Sequence, residues 1–179
     1  FSWAVSLNDS ATSALISNGG GSPLITQFSR DSANSTIWTE GQSIGKASGV
    51  GGSQPDWARD GALEQKGNYF AVGAKQDYGN GSSSTKYGSA WVYNRDSSGG
   101  LWALQQELIP SDDSDGAGEK KFGTVLSMPT DSLIAVSAPN YNGYIGAVYI
   151  FERDGSTWSQ THRITGPDGY NIYFGGEMQ

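Results

Sequence analysis

Cysteine is absent from the 179 residues. Its absence excludes disulfides, thiol catalysis and thiolate metal sites, but says little about compartment, because a large sheet protein reaches stability without crosslinks. Charge is also scarce, with only 16% of residues charged. The six Lys and five Arg lie scattered, with no basic run of five or more, and the net charge is −7. That disfavours nucleic acid and anionic membrane surfaces as partners. No stretch approaches the ~18 consecutive apolar residues of a membrane span, so membrane insertion is not expected. A single histidine, His162, excludes a His-rich metal centre, and no G-x-S-x-G nucleophile motif accompanies it. His162 reads as an exposed strand residue. No pair of carboxylates stands out for glycosidic chemistry either. Catalysis is not expected. The chain opens with Phe, and no signal peptide is visible, which leads to the expectation of a processed or excised piece of something longer.

What the chain has in abundance is glycine (26 residues), serine, threonine and asparagine, together with 12% aromatics. Short strands joined by tight turns have that composition, and the aromatics supply a core that a disordered Gly/Ser chain lacks.

The most informative feature is a repeat. Three times the sequence writes aromatic-x-Arg-Asp, a short polar stretch, then Trp with an aliphatic residue six positions on. The copies are Phe28-Ser-Arg30-Asp31 with Trp38 and Ile44, Tyr93-Asn-Arg95-Asp96 with Trp102 and Leu108, and Phe151-Glu-Arg153-Asp154 with Trp158 and Ile164. The arginines are 65 and 58 positions apart, a period that marks one supersecondary unit repeated in tandem.

Aligned outward from Arg-Asp, each unit opens with an aromatic and a small residue (Phe1-Ser2, Trp57-Ala58, Phe122-Gly123). An apolar run comes next (Ala14–Ser17, Tyr69–Ala74, Leu133–Pro139), then another (Leu24–Phe28, Ser89–Tyr93, Ala147–Phe151), and last the Trp segment. Four short runs per unit predict a four-stranded meander. The two middle runs are nearly continuous in apolar residues, as strands covered on both faces are. The WALQQELI stretch, 102–109, has helical propensity, but its counterparts carry Gly, Ser and Thr, so all three are expected to be strands. The predicted fold is all-β: tandem four-stranded antiparallel blades of a β-propeller, at 1–55 (with an irregular Gly-rich loop over 41–56), 56–121 and 122–173. Residues 174–179 begin a fourth with Phe174-Gly175. Propellers close with four to eight blades. Three do not close a ring, so either chains associate, or the remainder of a longer propeller completes it, or the units stack openly.

Taken together, these residues resemble the FG-GAP repeat, the blade of integrin α-subunit propellers. Phe122-Gly123 stands for FG, Ser137-Ala138-Pro139 for GAP, and Gly146–Phe151 for the G-x-V-Y-V-aromatic strand. The second unit keeps Val72-Gly73-Ala74. The match is strong over 69–175 and weak before 56. The resemblance implies extracellular adhesion or structural assembly. Many family members hold calcium in a D-x-D/N-x-D-G loop after FG. That pattern is missing here, so no cofactor is expected.

Individual residues admit sharper and plainer readings. Asp112, Asp113 and Asp115, before Gly116, have the chemistry of a weak cation site. The plainer and preferred reading is a solvated turn between units, with Lys120 and Lys121 partly neutralising it. Trp38, Trp102 and Trp158 invite sugar stacking, but their repetition favours packing between blades. Arg30, Arg95 and Arg153 are expected to fix turns while stacking on a neighbouring aromatic. Asn8, Asn34 and Asn80 head N-x-S/T sequons in predicted loops, glycosylation sites if the protein is secreted. The leading expectation is a non-catalytic extracellular repeat module for adhesion or structural assembly, self-associating through blade edges and loops. The alternative is a lectin-like propeller that takes glycans.

Overall fold

The computed structural model describes residues 4–18, 24–45, 62–76, 87–111, 119–167 and 172–176. Within them lie three four-stranded sheets, each an antiparallel meander of consecutive strands. The first holds β1 (Val5–Leu7), β2 (Ser13–Ser17), β3 (Ile25–Ser29) and β4 (Thr39–Ile44). The second holds β5 (Leu63–Lys66), β6 (Tyr69–Ala74), β7 (Ser89–Asn94) and β8 (Ala103–Leu108). The third holds β9 (Leu126–Thr130), β10 (Leu133–Ala138), β11 (Ala147–Asp154) and β12 (Thr157–Thr165). The expected tandem of four-stranded antiparallel sheets is what the chain forms, and WALQQELI contributes β8.

The sheets stack in chain order, face against face. Alternation along each strand divides the second sheet's side chains between its two neighbours. Leu63, Phe70, Val72, Trp91 and Tyr93 join Leu15, Ile25 and Ile44 of the first sheet in one buried cluster. Ala71, Ala90, Val92 and Leu108 join Leu126, Ile134, Val136, Tyr149 and Phe151 of the third in another. This explains the continuous apolar runs of β6 and β7: a central sheet has no face left for water. Face-to-face stacking of successive meanders is consistent with the packing of propeller blades.

Two irregularities recur from sheet to sheet and shape the joints between them. The third and fourth strands slip register at one equivalent place in every sheet: between Thr26 and Phe28, Val92 and Tyr93, and Ile150 and Phe151. Each slip places an extra residue on the fourth strand, a bulge that re-aims the next side chain. The second irregularity is the lead-in segment. Phe122 bridges Gly88 of the second sheet, and Phe174 bridges Gly146 of the third in the same parallel sense. Gly123 then lies so close to Gly73 that a Cβ on Gly73 would collide with the Gly123 carbonyl. Only glycine fits there.

Candidate functional site

The built features of this molecule are the joints between sheets. Each starts from the Arg-Asp turn. The backbone N–H groups of Arg30, Arg95 and Arg153 donate to Thr12, Asn68 and Ser132 carbonyls in the facing hairpin turns. Arg30 also donates from Nε to the Ala11 carbonyl (2.7 Å) and from Nη1 to that of Ser35 (2.7 Å). Arg153 matches it, donating to the Asp131 carbonyl (3.0 Å) and the Gly155 carbonyl (2.6 Å). Each guanidinium lies over aromatic rings: Arg30 over Trp38 at 4.6 Å, Arg95 over Trp102 at 4.4 Å, and Arg153 over Tyr69 at 4.4 Å with Trp158 at 5.9 Å. The Nε of Arg95 is buried without a hydrogen-bond partner, and burial lowers its pKa. Asp96 closes its own turn, its carboxylate accepting from Ser98 and the Gly100 N–H. Those bonds, the Ser98 side chain's first, hold its pKa below the usual carboxylate value.

The tryptophans then meet a glutamine from the sheet before. Gln42 on β4 donates from Nε2 to the Trp102 carbonyl (2.9 Å) and accepts the Trp102 N–H (2.6 Å). Gln106 on β8 does the same to Trp158, at 2.7 and 2.8 Å. A primary amide has one donor and one acceptor side by side, the complement of a residue's N–H and C=O. Both glutamines stand four residues after a repeat tryptophan, just past the bulge. Gln105 adds a second grip, accepting the Trp158 indole N–H at 3.1 Å and donating to the Ser156 carbonyl at 3.0 Å. Deeper in the first joint, the Ser6 hydroxyl accepts the Gln65 N–H at 2.8 Å. At its rim Lys66 pairs with Asp9 at 2.7 Å.

The repeat tryptophans do not share one environment. Trp102 and Trp158 are 4% and 2% exposed, whereas Trp38 is 36% exposed. The physical reason is position: among the described residues no sheet lies over the first sheet's far face. His162 occupies the place in the third sheet that Gln42 and Gln106 hold in the others. It is exposed, with Nδ1 3.1 Å from the Thr161 hydroxyl. Trp91 is buried and donates its indole N–H to Ser89.

The sequons differ in setting. The Asn8 side chain holds the β1–β2 turn, accepting the Thr12 and Ser13 N–H groups and donating to the Ser10 and Thr12 hydroxyls. Asn34 is exposed in the β3–β4 turn. Asn80 lies outside the described residues, as do Asp112, Asp113 and Asp115 and the openings Phe1-Ser2 and Trp57-Ala58. Lys120, expected to neutralise the acidic turn, is fully buried, 6.0 Å from the Tyr141 ring. Phe122 is buried with its ring edge-on to Tyr149 and Phe151 in a cluster that includes Ala138, and the Gly123 N–H donates to the Ser137 carbonyl. A cavity of about 650 Å³ opens beside Phe174, bordered by Lys75, Lys121, Thr124, Pro139, Asn140 and Tyr173. Among the described residues no three His, Cys, Asp or Glu side chains converge as a metal-binding group, and no helix is long and apolar enough to cross a membrane.

The glutamines escape a reading of the sequence alone. A signal exists, since Trp-x-x-x-Gln stands in two of the three copies. The third copy reads Trp-x-x-x-His and hides it.

No protein-family model matches the chain, and no curated protein matches it in sequence. What stands is a repetitive all-β architecture of three stacked sheets, with propeller-like packing and the character of a scaffold.

Proposed function

We propose that the chain is a run of FG-GAP-like propeller blades acting outside the cell as a non-catalytic building block, in adhesion or in a structural assembly. The observation that carries this reading is the repeated joint: the same Arg–Trp–Gln arrangement links sheet to sheet at Trp102 and again at Trp158. Among the described residues the recurring polar contacts hold one sheet to the next. The equivalent docking of Phe122 and Phe174 supports the blade reading, because the FG step that opens the third unit recurs after it. Its test is location. An antibody against the folded chain should label intact, unpermeabilised source cells or their shed matrix. Label confined to the permeabilised interior would sink the reading.

Glycan binding is the second reading, supported by the Trp38 ring, partly exposed and capped by Arg30. A saccharide array read at about millimolar sugar, the weak end of specific binding, tests it. Loss of binding in Trp38→Ala, with the fold intact, is the expected sign. An array blank throughout removes it.

A further inference from the structure

The cavity beside Phe174 is built from strand ends and lead-ins. None of the described residues that border it lies in a strand, so it is not the open face of an outer sheet. Lys75 follows β6, Lys121 precedes the docked Phe122, Asn140 follows β10, and Ile172 and Tyr173 precede Phe174. The chain as a whole carries a net charge of −7, yet these bordering residues include two lysines and no Asp or Glu. The cavity is therefore electropositive in an acidic protein. Lys121 forms no ion pair with a described residue. Asn140 is only 9% exposed, and its amide does not cap the turn that follows. Among the described residues no group bonds that amide. A buried amide with donor and acceptor unspent is costly unless something meets it.

The rim is aromatic. Tyr173 is 51% exposed, with its ring 5.3 Å from that of Tyr144, itself 44% exposed. The Tyr173 N–H donates to the Tyr144 carbonyl at 2.9 Å. Asn142, Gly143 and Tyr144 all have positive φ, at 48°, 66° and 74°, and this left-handed turn sets the Tyr144 ring beside Tyr173. Backbone held in so sparsely populated a region clusters at ligand sites.

We propose that this cavity binds an acidic saccharide through one uronic acid unit. Lys121 meets the carboxylate in a charge-assisted bond. The Asn140 amide, with a donor and an acceptor side by side, meets neighbouring ring hydroxyls. Tyr173 takes the apolar C–H face of the sugar, its ring being apolar in body and polar at the tip. A volume of about 650 Å³ suits a small ligand, since such pockets run from roughly 300 to 1,000 Å³. The proposal rests on the glycan reading and adds to it a class of sugar and a place apart from Trp38. A neutral sugar would use the amide and the ring but not Lys121. A simple carboxylate would use Lys121 but neither of the others.

The test is calorimetric titration of the folded chain at up to about 10 mM ligand, the weak end of specific binding. The probes are methyl glycosides of glucuronic, galacturonic and mannuronic acid, their neutral hexose counterparts, and acetate. At least one uronide should bind roughly tenfold tighter than its neutral counterpart and than acetate. Lys121→Gln should remove that advantage, a loss of tenfold or more for a charged hydrogen bond, with circular dichroism and melting curve unchanged. Lys121→Arg should keep it, and Asn140→Ala should weaken uronide and hexose alike. Failure of all three uronides to bind overturns the proposal. So does acetate binding as tightly as the uronides, which would mark a plain anion site, and so does uronide binding indifferent to Lys121→Gln. Sugar binding that Trp38→Ala abolishes and Lys121→Gln spares overturns this proposal while leaving the glycan reading in place.

Discussion

Gln106 and the backbone of Trp158 exchange two hydrogen bonds across the joint between the second and third sheets, donating at 2.7 Å and accepting at 2.8 Å. One side chain thereby satisfies both polar groups of a residue whose ring is buried. Buried backbone groups left without partners are costly, so this pairing stabilises the joint.

Replacing Gln106 by Ala is expected to cost about 2 kcal/mol, two net hydrogen bonds of about 1 kcal/mol each. Gln106→Glu should cost more, because it keeps the acceptor, loses the donor and sets a carboxylate against the Trp158 carbonyl. Gln106→His, which copies the third sheet, should fall between Gln and Ala. Urea unfolding of the three variants measures the order. Equal stability in all three would mean that the joint is held by its apolar cluster alone.

Gly73→Ala is expected to be severe, above about 3 kcal/mol, because the added methyl meets backbone that has nowhere to go. Both Gly123 and Ala62 crowd the site. A thermal melt shifted only slightly would show that the lead-in segment is free to withdraw.

Tyr93 lies buried and stacked on Phe70, ring centroids 4.6 Å apart. Burial pushes its phenol pKa up to about 12 from 10.0. The folded protein thus keeps a proton that the unfolded chain releases between those values. Tyr93's contribution to stability is constant below pH 10 and falls as pH rises toward 12. Other tyrosines titrate in the same window, so the measurement is a comparison with Tyr93→Phe. The difference in unfolding free energy should shift in favour of the Phe variant across that interval and stay constant below it.

Glu64, half-buried on β5, has its pKa raised by burial, with Lys66 pulling the other way. The folded state therefore holds this proton more tightly than the unfolded chain, so the ionised carboxylate costs stability at neutral pH and the cost fades as pH falls through its folded pKa. Glu64→Gln should raise the melting temperature slightly near neutral pH and lose that advantage around the ordinary carboxyl value of 4.5 and below. A gain that persists in acid would assign the effect to packing.

The architecture was legible because spacing carries it. Trp and its aliphatic partner six residues on recur with Arg-Asp before them, and runs such as Tyr69–Ala74 declare strands hidden on both faces. The grip between sheets was not legible, for a definite reason. Its donor and acceptor are one ordinary glutamine and a main chain, and the main chain leaves no mark in a sequence. His162 breaks the pattern in one copy of three. The exposure of Trp38 was equally hidden, since the residue is identical in type and spacing to Trp102 and only its place in the stack sets it apart. The expected packing role applies to the two tryptophans that a preceding sheet covers.

A bulge at the same place on the fourth strand of every sheet precedes the position from which Gln42 and Gln106 reach the sheet that follows. A unit inserted between two others would find its handhold and its hand already made. A gene that grew by tandem duplication could lengthen such a protein link by link without inventing new contacts, as in other one-dimensional repeat arrays.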